Sequence, residues 1–368
     1  MFGLERRREV VETQTVVDEI VASWHAACSG AGLVRNVQTV SGLTEVTPRV
    51  SLVVLGPPVR LSVELPAGLL ADDIRAAAPR IAPHLGVAGL RVEPRGHGEW
   101  AVVTLLDHDP VGDTYCLPPG PLTGRVLLGR DEHGEDVTAD PLDLGHIVVQ
   151  GATGTGKSVW LYSLLTQLAE FARAGYPIEI SGIDPSGISL RPFTASSVLG
   201  LTDPFEVEAY LAKKVELMDS RIREIPDDAD ILPVDSQHSV QVIVMEELPG
   251  LWRWLDAIDS KAAKRCRALL ARLLAESRKA RCTVILVAQR AEASIIGGFE
   301  RGQCATRLSF AVDNLDAVRL LHPDATAEIA GRHATERPGI ALLSGPGRAL
   351  TRMRAPYIAY AEYVRRVR

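Results

Sequence analysis

The run Gly151-Ala152-Thr153-Gly154-Thr155-Gly156-Lys157-Ser158 holds the residues of this 368-residue sequence whose types and order could do chemistry most directly. It fits the pattern G-x-x-x-x-G-K-[S/T], follows the apolar stretch Ile147-Val148-Val149 and opens a segment with helical character, which is the context such a loop needs. Its glycines let the backbone curl so that successive N–H groups point at one phosphate, and the helix N-terminus adds a partial positive charge. Lys157 is spaced to reach β- and γ-phosphates, and Ser158 to offer a hydroxyl to a magnesium ion. The motif therefore predicts binding of ATP and Mg2+.

A phosphate loop alone does not hydrolyse anything, and the acids it needs stand at the end of a second apolar stretch, Val240-Gln241-Val242-Ile243-Val244-Met245-Glu246-Glu247-Leu248. Glu246 is the expected magnesium residue, acting through water. Glu247 is the expected general base, because a carboxylate near the γ-phosphate can orient and deprotonate the attacking water. A third buried stretch, Thr283 to Ala288, delivers Gln289 and Arg290. Ligands of open α/β sheets lie at the carboxyl ends of the strands, so Gln289 is expected to sense the γ-phosphate.

These residues have to be positioned by alternating elements. Apolar strands at His146–Gln150, Ile178–Asp184, Val240–Met245, Thr283–Ala288, Arg307–Val312 and Gly339–Leu343 alternate with helical stretches at Ser158–Ala174, Pro204–Arg223 and Lys261–Ala280. Short β-rich runs separated by long helices predict an α/β fold with a mostly parallel, helix-covered sheet. Before it, strands at Arg49–Leu55, Val59–Leu65, Leu90–Pro94 and Glu99–Leu105 and a helix at Ala71–Leu85 predict a smaller α+β domain. The Pro- and Gly-rich stretch Pro110–Gly124, with Pro118-Pro119-Gly120-Pro121, marks the linker. The expected division is an N-terminal helical segment over 1–40, with apolar spacing at Val10, Val17, Ile20, Val21 and Trp24, a small domain over 45–118 and the large domain over 119–368.

Composition narrows the class without deciding it. A net charge of −6 argues against a uniformly basic nucleic-acid binder but says nothing of how charge is arranged inside a ring or groove. Cys28, Cys116, Cys266, Cys282 and Cys304 are scattered, with neither a C-x-x-C pair nor a histidine cluster to suggest zinc or a redox couple, and free thiols are expected. No apolar run approaches the ~18 residues that cross a bilayer, and Met1–Val10 is charged, so no transmembrane segment and a cytoplasmic place are expected.

Taken in order, several segments resemble the FtsK/SpoIIIE family of DNA-pumping motor ATPases. Asp140 to Leu165 is similar to its approach to the phosphate loop, Gly182-Ile183-Asp184-Pro185 to its Ile-Asp-Pro turn, and Leu201-Thr202-Asp203 with the helix ending Leu217-Met218 to its next segment. Ala288-Gln289-Arg290 looks like its Thr-Gln-Arg signature, and Ala305 to Phe310 with Asp316 to Leu320 resembles the stretch carrying its trans-acting arginine, here Arg307. Pro57–Leu65, Ala71–Ala82 and Trp100–Leu106 are similar to its ring-forming domain. The sequence departs from the family at Glu246, where Asp is usual, and at Ser186, where Lys is usual; nothing in it resembles the membrane-spanning or winged-helix parts.

The resemblance implies a RecA-like motor that hydrolyses ATP and moves double-stranded DNA, closest to the transfer proteins of conjugative elements. It implies a hexameric ring with ATP between subunits, Arg307 reaching a neighbour's γ-phosphate with Arg278 and Arg281 as fallbacks, and a membrane-bound or element-encoded recruitment partner. Backbone contacts that ignore sequence would come from pore loops carrying Arg191, Arg290 and Arg301. Two other readings stay open: an ATPase of a protein secretion apparatus, and a nucleotide-dependent scaffold with little hydrolysis.

Overall fold

The computed structural model describes residues 2–39, 42–120, 124–235, 237–290 and 296–368, with side chains from residue 14 onward apart from Thr39. Pro121 of the linker and the Val10 side chain lie outside the described residues. The chain forms two compact units, one of Met1–Asp113 with Glu132–Glu135, the other of Thr114–Asp131 with Asp136–Arg368.

In the smaller unit, β3 (Arg49–Val54), β4 (Arg60–Glu64), β5 (Gly89–Arg95) and β6 (Trp100–Leu106) pair antiparallel in the order β3-β4-β6-β5. Alternation along β4 and β6 turns Leu61, Val63, Ala101 and Val103 inward, where Ile74, Ala77 and Ile81 of α2 (Ala71–Ile81) meet them. The N-terminal helix α1 (Phe2–Gly30) adds Trp24, Ala27 and Cys28 to that same core, and the Trp24 indole donates to Pro48 O at 2.9 Å. From sequence α1 reads as a separate segment; in the structure it shares one core with the small sheet. A hairpin of β1 (Arg35–Thr39) and β2 (Gly42–Val46) follows it.

The larger unit is a ten-stranded sheet. Its parallel part, in spatial order, is β11 (Val198–Leu199), β10 (Ile178–Asp184), β12 (Val240–Met245), β13 (Cys282–Ala288), β9 (Ile147–Gln150) and β14 (Thr306–Phe310). Beyond β14 the sheet continues antiparallel through β15 (Ile340–Gly345), β16 (Arg348–Arg354), β7 (Val126–Asp131) and β8 (Asp136–Ala139). The central strands are buried on both faces. Val240, Val242 and Val244 pack with α3 (Lys157–Arg173), while Ile243 and Met245 face α4 (Pro204–Arg223), α5 (Leu248–Ile258) and α6 (Ser260–Glu276). That two-residue period on strands with no polar face is what a helix-covered parallel sheet requires. Asp203 and Asp259 cap α4 and α6 by accepting from the Phe205 and Lys261 amides, and Pro204 opens α4 where no N–H is needed. Three short helices, α7 (Gly298–Gln303), α8 (Leu315–Leu321) and α9 (Ala327–His333), and the C-terminal α10 (Tyr360–Val367) complete the unit.

The boundary between units falls earlier than the sequence implies. Residues 114–118 belong with the larger unit, because Tyr357 donates to Tyr115 O and Leu117 to Tyr357 O, each at 2.8 Å. All five cysteines are free.

His146, just ahead of β9, is 3% exposed, and its Nδ1 accepts the Val284 amide at 3.0 Å. Burial, with Arg278 adding to it, pushes its pKa down to about 4, so the folded protein keeps it neutral while the unfolded chain protonates near 6.5. Its contribution is complete above pH 6.5 and is lost as the pH falls toward 4, at about 1.4 kcal/mol per pH unit. We expect His146→Asn to flatten the dependence of unfolding free energy on pH between 6.5 and 4.5 by about one proton's slope, read by denaturant titration at each pH. An unchanged slope would place the acid sensitivity elsewhere, for instance at His322, which burial pushes to about 3.

Candidate nucleotide site

The phosphate loop runs from the end of β9 into α3. It is held by its neighbours: Gly151 donates to Gln289 O at 3.2 Å, Ala152 to Ala311 O at 2.8 Å, and Gly339 to Thr155 O at 2.8 Å. The Thr155 hydroxyl closes the curl by donating to Ala152 O at 2.7 Å. Gly156 has φ 117°, and a Cβ there would lie 2.9 Å from Gly339 N, so both the conformation and the close approach exclude a side chain. At Gly151 a Cβ would meet the Phe310 Cβ at 2.6 Å. The Lys157 ammonium lies within the loop, donating to Gly151 O and to Ala152 O, the latter at 3.0 Å. Desolvation lowers its pKa, opposed by the charges of Glu247 and Glu246.

Facing it are the ends of β10, β12 and β13. Because the three strands are parallel neighbours, Asp184, Glu246 and Gln289 emerge at one edge of the sheet, beside the loop that follows β9. Glu246 is 8% exposed, and burial followed by the charges of Asp184 and Glu247 pushes its pKa up to about 7, with Lys157 acting the other way. Glu246 and Glu247 both act on the Lys157 ammonium, and Asp184 acts on Glu246.

Glu247 is left-handed at φ 47° and ψ 48°, a conformation unfavourable for a residue with a Cβ. It stands two residues beyond β12 at the N-cap of α5, and Gln289 Nε2 donates to its Oε1 at 3.0 Å. The structure thus brings together Lys157, Glu246, Glu247 and Gln289. It adds Asp184, quoted from sequence only as part of a turn, whose charge acts on Glu246 because β10 is the strand next to β12.

The arginines are placed differently. Arg307 is the second residue of β14, opposite Val148, near the amino end of the parallel strands and so toward the sheet edge opposite the phosphate loop. Its guanidinium donates to Cys304 O, Leu321 O and Arg301 O at 3.1–3.3 Å. Arg278 and Arg281 precede β13 at that same edge; Arg278 lies 3.6 Å from Asp143 with 67% of its side chain exposed, and Arg281 donates to Leu232 O. Arg290 pairs with Asp313, Arg301 reaches Ile296 O, and Arg191 donates to Gly187 O at 3.2 Å from an exposed position.

Known proteins resemble this chain in sequence and in fold. The family model described as FtsK/SpoIIIE family matches residues 120–292. The chain is similar to the DNA translocase FtsK of Listeria monocytogenes, 26% identical over 303 residues that cover 78% of this chain and 38% of the relative. It is also similar to that of Halalkalibacterium halodurans, 28% identical over 310 residues, 78% and 37% of the two chains. It therefore spans less than two fifths of the length of these curated relatives. Among solved structures, the pCW3 conjugation coupling protein TcpA in its monomer form with ATPγS has a TM-score of 0.60 at 16% identity, covering 95% of this chain and 98% of that one, which is a likeness of fold. The cytoplasmic domain of the type VII secretion ATPase EccC of Thermomonospora curvata has the same kind of likeness, with a TM-score of 0.52 at 17% identity over 71% and 33% of the two chains. No helix among the described residues is long and apolar enough to cross a membrane. The phosphate loop, the acid-ended strand beside it and the match over residues 120–292 together make the larger unit of this chain a P-loop ATPase domain similar to those of the FtsK/SpoIIIE family.

Proposed function

We propose that this chain is an ATP-driven motor that moves double-stranded DNA, works as a ring of identical subunits, and serves conjugative transfer of a mobile element. The observation that carries the reading is the hydrolytic half-site, with Glu247 just beyond β12 and held by Gln289, on a domain whose curated relatives are named DNA translocases.

In this reading Gly151–Ser158 cradle the phosphates, Lys157 leaves its own loop carbonyls for β- and γ-phosphate oxygens, and Glu247 orients and deprotonates the attacking water while Gln289 fixes its rotamer. Mg2+ fits the donor set: Ser158 supplies a hydroxyl and Glu246 a carboxylate whose pKa is raised first by burial and then by the charges of Asp184 and Glu247, which a bound cation would offset. When bound, the ion neutralises developing phosphate charge. Magnesium is bound through one or two carboxylates plus phosphates and water, so Ser158 and Glu246 are sufficient protein donors beside a nucleotide.

A ring is built from heterologous contacts, in which one face of a subunit meets a different face of the next. Arg307, Arg278 and Arg281 lie opposite the phosphate loop, where a neighbour's nucleotide would meet them. Arg307 has to exchange three carbonyls for phosphate oxygens to act there; Arg278 has only an exposed carboxylate to leave.

The test is steady-state ATP hydrolysis with and without long linear duplex DNA at about 50 and about 200 mM salt. Backbone contacts predict a several-fold stimulation that the higher salt suppresses. Ordinary turnover indifferent to DNA would favour a protein substrate instead, and nucleotide binding without turnover a scaffold.

A further inference from the structure

The loop after β10 is wrapped around Asp184. Its buried carboxylate accepts from the Ser186 amide at 2.9 Å, the Ser186 hydroxyl at 2.7 Å and the Leu190 amide at 3.0 Å, while its carbonyl accepts from Gly187 and Gly200. On one side this loop adjoins the strand carrying Glu246, whose amide donates to Ile183 O at 2.9 Å. At its other end stands Arg191.

The loop is also tied to the phosphate-loop helix, by a route that the nucleotide site itself does not use. Tyr363 of α10 is fully buried and donates its hydroxyl to Ser189 O at 2.5 Å; Tyr360 donates to Ile188 O at 3.1 Å. The Tyr363 ring stacks on Tyr162 of α3, centroids 4.8 Å apart and planes 13° apart, and Tyr360 meets Tyr162 edge-on at 5.4 Å. Tyr162 lies four residues beyond Ser158, on the same side of α3 and one turn from the end of the phosphate loop. Arg366 fixes α10 on α3 through a largely buried pair with Glu170 at 2.8 Å.

We propose that Tyr363, supported by Tyr360, is a positioning residue that couples the state of the phosphate loop to the Ser186–Arg191 loop. A displacement of α3 on nucleotide binding is carried by the ring stack into α10 and by the two hydroxyls into the backbone at 188 and 189. The loop then reports on the nucleotide at Arg191. The link to DNA rests on the reading that this loop faces the substrate; the link between nucleotide and loop does not.

The experiment is amide hydrogen exchange with and without ATPγS on the wild type and Tyr363→Phe, which keeps the stack and removes only the hydroxyl. In the wild type ATPγS is expected to slow exchange at both 151–158 and 186–191; in the variant protection at 151–158 remains and protection at 186–191 falls by about fivefold. Equal protection of 186–191 in both proteins, or no protection there in the wild type, overturns the proposal, and Tyr360→Phe repeats the comparison if Tyr363→Phe fails to fold. DNA stimulation of ATP turnover is measured on the same proteins. Loss of stimulation in the variant with basal kcat and KM kept extends the coupling to DNA, whereas a wild type without stimulation counts against the DNA reading and leaves the exchange result to decide the coupling.

Discussion

Glu247→Gln binds ATP as the wild type does and loses hydrolysis by about 10²–10⁴-fold, the range removed with a general base. The substitution keeps the shape of the side chain and an oxygen able to accept from Gln289 Nε2, so the geometry at 3.0 Å survives while the proton acceptor does not. Single-turnover hydrolysis and binding of a fluorescent ATP analogue separate the two effects. Glu246→Gln is expected to raise the Mg2+ concentration needed for half-maximal turnover more than it lowers the saturated rate. If Glu246→Gln instead traps ATP and Glu247→Gln does not, the two acids have exchanged roles.

Lys157→Ala loses nucleotide binding. Its ammonium is the cation of the loop, and charged hydrogen bonds contribute about 1.5–3 kcal/mol each, so removing the phosphate contacts costs on the order of 100-fold or more in Kd. The fold should tolerate the change. Of the two carbonyls that Lys157 occupies, that of half-buried Ala152 can turn to water, and that of buried Gly151 is reached through the space the side chain vacates. A thermal midpoint within a few degrees of the wild type, with no ATP bound at concentrations that saturate the wild type, is the expected pair of results. Near-normal turnover would remove Gly151–Ser158 from the site.

How much of this was legible depended on whether the signal was local. Strands buried on both faces are apolar runs by necessity, and β9, β10, β12 and β13 stand where such runs predict them. The meeting of Glu247 with Gln289 was accessible too, because parallel neighbours end at one edge. Of the antiparallel half of the sheet only β15 was, at Gly339–Leu343. β16 reads Arg348-Ala349-Leu350-Thr351-Arg352-Met353-Arg354, too polar for a buried-strand pattern, and only its pairing with β15 and β7 makes it a strand. α5 follows Glu247 directly, and this left-handed N-cap glutamate makes no side-chain capping hydrogen bond of the kind Ser, Thr, Asp or Asn would announce. For Arg307 the position could be read but not the three carbonyls that hold it, which come from residues brought together by α7 and α8. Tyr162 and Tyr363 lie 201 positions apart, and no periodicity connects them.

The claim that most needs testing is that ATP turnover moves this protein along duplex DNA. Displacement of a fluorescent triplex-forming strand from linear duplex DNA measures that movement directly. The account predicts release that requires ATP and Mg2+, fails with Glu247→Gln and Lys157→Ala, and slows as the duplex between entry point and triplex lengthens. A protein that hydrolyses ATP yet leaves the triplex in place at every duplex length and at low salt would contradict it.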